Sequence, residues 1–456
     1  MGTGAVKRQR RLLLTLRSGE APAHVPSHLD HLVGAARAAS TIDGGRIDAT
    51  LRSGGGFRAL GIYGARASLG RVGEQHLRWS ETEHDLGLSR SYQVEIGDAD
   101  AAGRVLERLR GLPAVESAKA DSLATAPFSA IAERPPRTRD LADPALSPHV
   151  RVRAPQAHQL EPGDERVTVG LVDSGVSLGH PELQRKLLAG FNTVDLGVDE
   201  AAGLQLIGDS RGEDFTPMDA VGHGTHVAGI IGATGWEIPS GVAGLSLLLP
   251  IRVLAAAIAP GSTRPVGIGA ESNINAGLKV AVDLGAIALN LSFGTSEHDI
   301  DPDAPKPQAS VIAYGARYGC VMVAATGNSG VAERFYPAAL PEVIAIGSVN
   351  ADGYRSTFSS YGDHVALCAP GEGIVSAGIS GIRQGSGTSY AAPFVTGAAA
   401  LLIAHARRHG RTLTPGDVRR LLTSTAARLP NAVAAETGAG LLDIEAALHA
   451  LEGDQP

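Results

Sequence analysis

The chain has 456 residues, enough for one large domain and a smaller one. Its 43% hydrophobic content predicts a sizeable packed core, and 58 glycines with only 4% aromatic residues favour a loop-rich α/β enzyme over a binding module built on aromatic platforms. The net charge of −7 gives no reason to expect nucleic acid as a partner.

The N-terminus carries basic residues before a short apolar run. Lys7, Arg8, Arg10 and Arg11 resemble the start of a signal peptide, but residues 12–16 form an apolar run of only about five residues, where a cleavable signal needs roughly seven to fifteen. We therefore predict a strand there and a cytoplasmic location, with secretion by another route left open. The sequence also predicts no membrane span, because no stretch approaches the ~18 apolar residues required.

Residues 1–127 are predicted to form a small α+β domain. Its second half, residues 90–121, is the better supported part: strand patterns at 92–96 and 114–118 flank a helical pattern at 101–109. Residues 128–152 carry four prolines and scattered charges, which indicates a linker that is either a spacer or a cleavage site.

Residues 153–453 are predicted to form a second and larger domain. Apolar strands alternate there with helical patterns, which predicts a mostly parallel central sheet with helices on both faces. The active site of such a sheet lies at the carboxyl ends of its strands. The strand patterns cover residues 167–172, 247–254, 286–293, 321–325, 343–349 and 365–369, and the helical patterns cover 226–234, 272–284 and 311–319. Two cysteines, Cys320 and Cys368, lie in apolar runs and are predicted to be buried thiols rather than a disulfide or metal ligands.

A loop of small residues at 385–388 leads into an apolar helical pattern that begins near Ser389. Unpaired N–H groups and the positive end of the helix dipole favour a developing oxyanion at this place. The alternative is an ordinary helix start with Thr388 as its N-cap.

Three further polar residues occupy strand ends or a helix start. Asp173 ends the first strand, His223 begins a helix, and Asn328 follows a later strand. Each has an alternative reading: Asp173 and Asn328 suit turns, and His223 with His226 suits a metal pair. Together with Ser389, however, they supply a nucleophile, a base, a carboxylate that orients the base, and an oxyanion donor. His226 is then expected to be a buried structural histidine.

These motifs resemble the subtilisin family of serine peptidases. The matching stretches are residues 169–175, 223–229, 324–328 and 387–393, and the likeness covers about 153–453. The resemblance implies Ser389 as nucleophile, His223 as general base, Asp173 as its orienting carboxylate, and Asn328 with the Ser389 backbone N–H as oxyanion donors. It further implies that the strand Ser292, Phe293 and Gly294 pairs with the backbone of a peptide or protein substrate.

The resemblance also implies roles for other parts of the chain. The N-terminal domain is similar to a propeptide, which implies an intramolecular chaperone and inhibitor, while a permanently attached accessory domain remains the alternative. No cofactor is predicted. Many members of the family bind calcium in the loop after the histidine helix, but here residues 233–240 offer few oxygen ligands and do not support that site.

Two departures from the family pattern stand out. Tyr390 replaces the methionine that usually follows the nucleophile, which is expected to remove an oxidation-sensitive side chain and to reshape the pocket. The loop between Asp173 and His223 is long and acidic, and is either solvated or suited to basic substrates.

The resemblance implies a serine endopeptidase that works through an acyl-enzyme. One alternative is a specialised processing peptidase or transpeptidase that uses the same acyl-enzyme. Another is a catalytically silent binding protein on the same fold, although a binding role would not require all four site residues.

Overall fold

The structure is a computed structural model that describes residues 10–20, 22, 24–69, 78–126, 147–212, 215–430 and 433–453, and the backbone of residues 131–134. Lys7 and Arg8, most of the predicted linker, and Glu213 and Asp214 of the acidic loop lie outside the described residues.

The N-terminal unit is a four-stranded antiparallel sheet in the order β2-β3-β1-β4. The strand predicted near residues 12–16 is confirmed as the inner strand β1. The first helix is short and ends at Leu32, and Gly34 adopts a positive φ two residues later. Its elements are β1 Arg11–Leu16, α1 His28–Leu32, α2 Arg46–Arg52, β2 Phe57–Gly61, α3 Glu81–Asp85, β3 Ser91–Ile96, α4 Ala102–Arg110 and β4 Val115–Ala120.

Two strands and two helices connect this unit to the rest of the chain. They are β5 Leu123–Thr125, β6 Ile131–Arg134, α5 Pro148–Arg151 and α6 Ala154–Leu160. The strand β6 lies within the predicted linker, so this part of the linker takes part in a sheet.

The large unit contains a seven-stranded parallel sheet in the order β18-β17-β15-β13-β7-β10-β8, which confirms the predicted fold class. Smaller sheets have the orders β5-β12-β11-β9, β19-β20-β6 and β14-β16. The strands are β7 Thr168–Asp173, β8 Phe191–Asn192, β9 Gln205–Ile207, β10 Leu247–Arg252, β11 Ala255–Ile258, β12 Pro265–Ala270, β13 Ala288–Leu291, β14 Thr295–Ser296, β15 Val321–Ala325, β16 Phe335–Tyr336, β17 Val343–Val349, β18 Val365–Pro370, β19 Ile374–Ala377 and β20 Ile382–Ser386.

The helices of the large unit cover both faces of the parallel sheet. The helix α10 is the longest of those described, and its side chains from Thr388 to Ala406 are buried. By length and composition α10 could also cross a membrane, but its apolar window is completely buried inside the protein. Cys320 and Cys368 are buried free thiols, as predicted. The helices are α7 His223–Gly232, α8 Glu271–Asp283, α9 Ala309–Arg317, α10 Thr388–Arg408, α11 Pro415–Ser424, α12 Ala434–Thr437 and α13 Ile444–Gly453.

Candidate active site

The four predicted residues lie at element ends on the carboxyl edge of the parallel sheet. Asp173 is the last residue of β7, and Asn328 lies three residues after β15. His223 is the first residue of α7, and Ser389 is the second residue of α10. Because parallel strands all end at the same edge, the fold collects these side chains there.

Asp173 and His223 form a buried hydrogen-bonded pair. Nδ1 of His223 donates to Oδ1 of Asp173 over 2.8 Å, and the same carboxylate oxygen accepts the Ser174 backbone N–H at 2.7 Å. Asp173 is 1% exposed and His223 is 7% exposed. A proton held on Nδ1 leaves the lone pair on Nε2, which is the tautomer that can accept a proton from a nucleophile.

Ser389, in the first turn of α10, contacts the strand that the sequence analysis predicts to bind substrate. Its hydroxyl donates to the carbonyl of Ser292 over a long 3.5 Å, while the Ser292 hydroxyl donates to the carbonyl of Ser389 at 2.9 Å. The structure thus brings Ser292 to the nucleophile candidate.

Asn328 is oriented by Thr388. Its Oδ1 accepts hydrogen bonds from the backbone N–H and the hydroxyl of Thr388, both at 2.9 Å, so its Nδ2 is turned away as a donor. An ideal Cβ on Gly387 would lie 3.2 Å from this Nδ2 and 3.8 Å from the backbone N of Ser389. Both donors therefore border the space that the glycine leaves open, where an oxyanion can be stabilised.

The helix start differs from the alternative in which Thr388 is the N-cap. Gly387 is the N-cap and Thr388 is already helical, because its hydroxyl bonds to Asn328 and Gly327 instead of to the next turn. Thr388 is thus a residue of the site that the sequence analysis named only as the N-cap of the alternative helix start.

Tyr390 lies behind the site. Its side chain is 1% exposed. The centroid of its ring lies 4.3 Å from the ring centroid of His226 and 5.7 Å from that of His223. His226 is equally buried, so it packs as expected. Tyr390 thus packs against both histidines from the core side.

Asp219 is a buried residue of the site that sequence reasoning assigned only to the acidic loop. Its Oδ1 accepts the Ser174 hydroxyl at 2.9 Å and the N–H of Gly222 at 2.9 Å, and its Oδ2 accepts the N–H of Thr225 at 2.9 Å. Asp219 thus ties the residue after Asp173 to the start of the helix that carries His223. Burial raises the pKa of the Asp219 carboxyl, and these hydrogen bonds work against that shift. Its position four residues before His223 is the only sequence signal for it.

Replacing Asp219 by asparagine is expected to lower kcat about 10- to 100-fold, because an amide can satisfy only part of these donors and Asp173 and His223 would shift relative to each other. Asp199→Asn, in the exposed part of the same loop, is the matched control. Equal kcat and KM in both variants, measured on a peptide substrate, would show that Asp219 does not position the pair.

The strand after the N-terminal unit lies in the predicted substrate site. Thr125 and Gly294 exchange two backbone hydrogen bonds of 2.9 and 3.0 Å, in antiparallel register. On its other edge β5 pairs with β12, and the backbone N–H of Ala126 donates to the carbonyl of Gly267 at 3.1 Å. The side chain of Phe293 is completely buried in the core, so this strand pairs with β5 through the backbone of Gly294.

The backbone just before Ser389, in β20, is also paired with another strand. The strand β6 runs antiparallel to β20, with Ile131 opposite Ser386 and Arg134 opposite Gln384. Ser386 lies three residues before Ser389, so β6 pairs with the backbone that leads into the nucleophile candidate.

Buried charges join the N-terminal unit to the large unit. Arg11 contacts Glu200 at 2.9 Å and Asp195 at 3.5 Å, so this part of the acidic loop is paired and not simply solvated. Asp121 accepts the backbone N–H of Ser272 at 3.0 Å, and Lys119 contacts Glu271 at 2.7 Å, both at the start of α8. Removing one partner of a buried pair is costly, so these contacts hold the two units together.

The loop assigned to calcium in many family members surrounds a carboxylate here. Glu182 is 2% exposed and accepts the hydroxyl of Thr234 at 2.7 Å and the backbone N–H of Gly235 at 2.9 Å. Further backbone N–H groups of Trp236, Glu237 and Ile238 also point at it. Burial opposes ionisation, but the hydrogen bonds outweigh it and lower the pKa of Glu182. Donors that point inward suit an anion rather than a cation, and within the described ranges no group of three or more His, Cys, Asp or Glu side chains could hold a metal.

Glu182→Ala is expected to lower the free energy of unfolding by about 2–3 kcal/mol, because it leaves these donors without their acceptor. The loss should be largest above the ordinary glutamate pKa of about 4.3 and disappear as the pH falls through the lowered pKa of the folded state. Chemical denaturation of both proteins tests this, with the exposed Glu237→Ala as the control. Equal stabilities at pH 7 would contradict it.

Comparison with known proteins gives the same family throughout. The model of the subtilase family, Peptidase_S8, matches residues 164–440. The chain is 35% identical to a thermophilic serine proteinase of Bacillus sp. (strain AK1), over 54% of each chain. It is 31% identical to thermitase of Thermoactinomyces vulgaris, over 61% of this chain and 87% of thermitase. It is also 32% identical to subtilisin NAT of Bacillus subtilis subsp. natto, over 65% of this chain and 69% of that relative.

A solved structure, that of the prenylagaramide maturation protease PagA, is similar with a TM-score of 0.53 and 25% identity, over 66% of this chain and 99% of that chain. The chain spans only about half of the Bacillus sp. proteinase, 54% of its length. The family model nevertheless matches more than half of this chain. The chain therefore belongs to the subtilase family.

Proposed function

We propose that this protein is an endopeptidase that cleaves peptide bonds through an acyl-enzyme formed on Ser389. The observation that carries the proposal is the buried 2.8 Å hydrogen bond between Asp173 and His223, beside the helix whose second residue is Ser389. A paired carboxylate and imidazole supply the base that a serine requires at neutral pH.

In the first step Nε2 of His223 takes the hydroxyl proton of Ser389, and the oxygen attacks the substrate carbonyl. Asp173 stabilises the imidazolium that forms, while Nδ2 of Asn328 and the backbone N–H of Ser389 stabilise the oxyanion. His223 then gives its proton to the leaving amine, which leaves an acyl group on Ser389. Water, deprotonated by the same imidazole, releases the second product.

The N-terminal unit acts as an inhibitor of this site. The backbone of Thr125 pairs with Gly294 as a substrate would, and buried ion pairs hold the unit in place. We propose that the enzyme cuts its own chain between Ala126 and Ile131 and that the unit is the intramolecular inhibitor of the uncut enzyme.

A processing peptidase or transpeptidase would use the same acyl-enzyme. The likeness to a maturation protease favours this as the second candidate. In transpeptidation an amine replaces water in the last step, so the mass of the product distinguishes the two reactions.

Labelling with a fluorophosphonate probe tests the proposed function. The purified protein is expected to be labelled at Ser389 and to hydrolyse casein, and His223→Ala should lose both reactions. A folded protein that neither reacts with the probe nor cleaves casein would favour the catalytically silent alternative.

A further inference from the structure

We propose that the enzyme selects peptides with small side chains at two alternate positions, those occupied here by Ala124 and Ala126. This inference rests on the proposed function, because it takes residues 124–126 as a copy of a bound substrate. It concerns the shape of the site and not the chemistry at Ser389.

The strand β5 has a defined orientation between two neighbours. Thr125 pairs with Gly294 on one edge, and on the other edge Ala124 lies opposite Gly269. The hydrogen bond from Ala126 to Gly267 continues this register. Directly opposite residues of an antiparallel pair place their side chains on the same face, so Ala124 and Ala126 share one face with the two glycines.

That face is closed by the protein core. Ala124 is 1% exposed and Ala126 is 5% exposed, and both belong to the apolar cluster that contains Leu254. Ala126 Cβ lies 3.6 Å from the point where Gly267 would carry a Cβ. In the uncut chain, neither alanine methyl has open solvent into which a longer side chain could extend.

Leu254 fills the room that the two glycines would otherwise leave. Its Cδ1 lies 3.1 Å from the ideal Cβ position of Gly267, and its Cδ2 lies 2.9 Å from that of Gly269. A larger substrate side chain at either alanine position would have to displace this completely buried leucine. Overpacking of this kind is disfavoured.

The middle position faces the other way. Successive side chains of a strand alternate between faces, and Thr125 is only partly buried. The site therefore restricts two positions and tolerates variation at the one between them.

Cleavage of quenched fluorescent peptides tests the proposal. One peptide copies residues 121–132, and three others carry Ala124→Leu, Ala126→Leu or Thr125→Leu. Enzyme concentration is set by fluorophosphonate titration of the wild-type protein as purified, so that each rate refers to reactive sites. We expect kcat/KM to fall about tenfold or more for the two alanine replacements and to stay within about threefold for the threonine replacement, which is the matched control.

A second experiment changes the enzyme instead of the peptide. Leu254→Ala should raise the kcat/KM of the Ala124→Leu and Ala126→Leu peptides relative to the parent peptide, because it opens the space beneath Gly267 and Gly269. This ratio is measured within one enzyme, so it does not depend on the yield of folded protein.

The outcomes separate the two proposals. Casein hydrolysis with equal rates for all four peptides would overturn the selectivity and leave the proposed function standing. Casein hydrolysis without cleavage of the parent peptide would overturn it too. Absence of both probe labelling and casein hydrolysis would overturn the proposed function, and the selectivity with it.

Discussion

Ser389→Ala is expected to leave the chain at its full mass of 46.7 kDa, whereas the wild-type protein should lose its N-terminal unit during expression. The reason is that self-cleavage between Ala126 and Ile131 requires the same nucleophile as cleavage of other proteins. In subtilisin, loss of the corresponding serine lowers kcat about 2 × 10⁶-fold, and we expect a loss of similar order here. Intact mass spectrometry and casein hydrolysis measure the two effects together.

A serine remote from the cleft serves as the control. Ser424 ends α11, so Ser424→Ala should self-process and react with the probe like the wild-type protein. A Ser389→Ala protein that is shortened at the same peptide bond would mean that another enzyme makes the cut. A Ser389→Ala protein that still hydrolyses casein would exclude Ser389 as the nucleophile.

Asn328→Ala is expected to lower kcat by about 10²–10³-fold with little change in KM, the size of effect known for the corresponding donor in subtilisin. The physical reason is that Nδ2 stabilises charge that develops only after the hydroxyl of Ser389 has attacked. Steady-state kinetics on a peptide substrate separates kcat from KM.

Thr388→Val tests whether Asn328 is the oxyanion donor and Thr388 only orients it. This change removes the hydroxyl that donates to Asn328 Oδ1 at 2.9 Å but keeps the backbone N–H that bonds to the same oxygen. The loss of kcat should therefore be clearly smaller than for Asn328→Ala. If the two losses are equal, or if Asn328→Ala raises only KM, Asn328 does not act as an oxyanion donor.

Local sequence patterns were sufficient to predict the strands of the parallel sheet. The strands β15 and β17 begin and end at the predicted residues, because an apolar strand buried on both faces reads as an unbroken apolar run. The position of Ser389 near a helix start was also readable, since the loop of small residues is followed directly by an apolar helical period. The structure places Ser389 second in the helix, because the hydroxyl of Thr388 bonds to a loop 60 residues away instead of capping the helix.

The first half of the N-terminal unit was much harder to predict. The strand β2 pairs with β3, and β1 pairs with both β3 and β4, over long separations in sequence. Antiparallel register across such distances depends on side chains that meet only in the folded state. Asp219 and Glu182 were missed for a related reason, because each is defined by the backbone N–H groups that converge on it, and an isolated acidic residue looks the same in a solvated loop.

The two hydrogen bonds between Thr125 and Gly294 have a kinetic consequence. They join parts of one chain, so the local concentration of this peptide segment at the site does not depend on how much protein is present. The first cut is therefore expected to be unimolecular, with a half-time that does not change on dilution. In a mixture with the Ser389→Ala protein, the inactive chains would be cut only in a second, concentration-dependent phase, after the first molecules had become free enzymes.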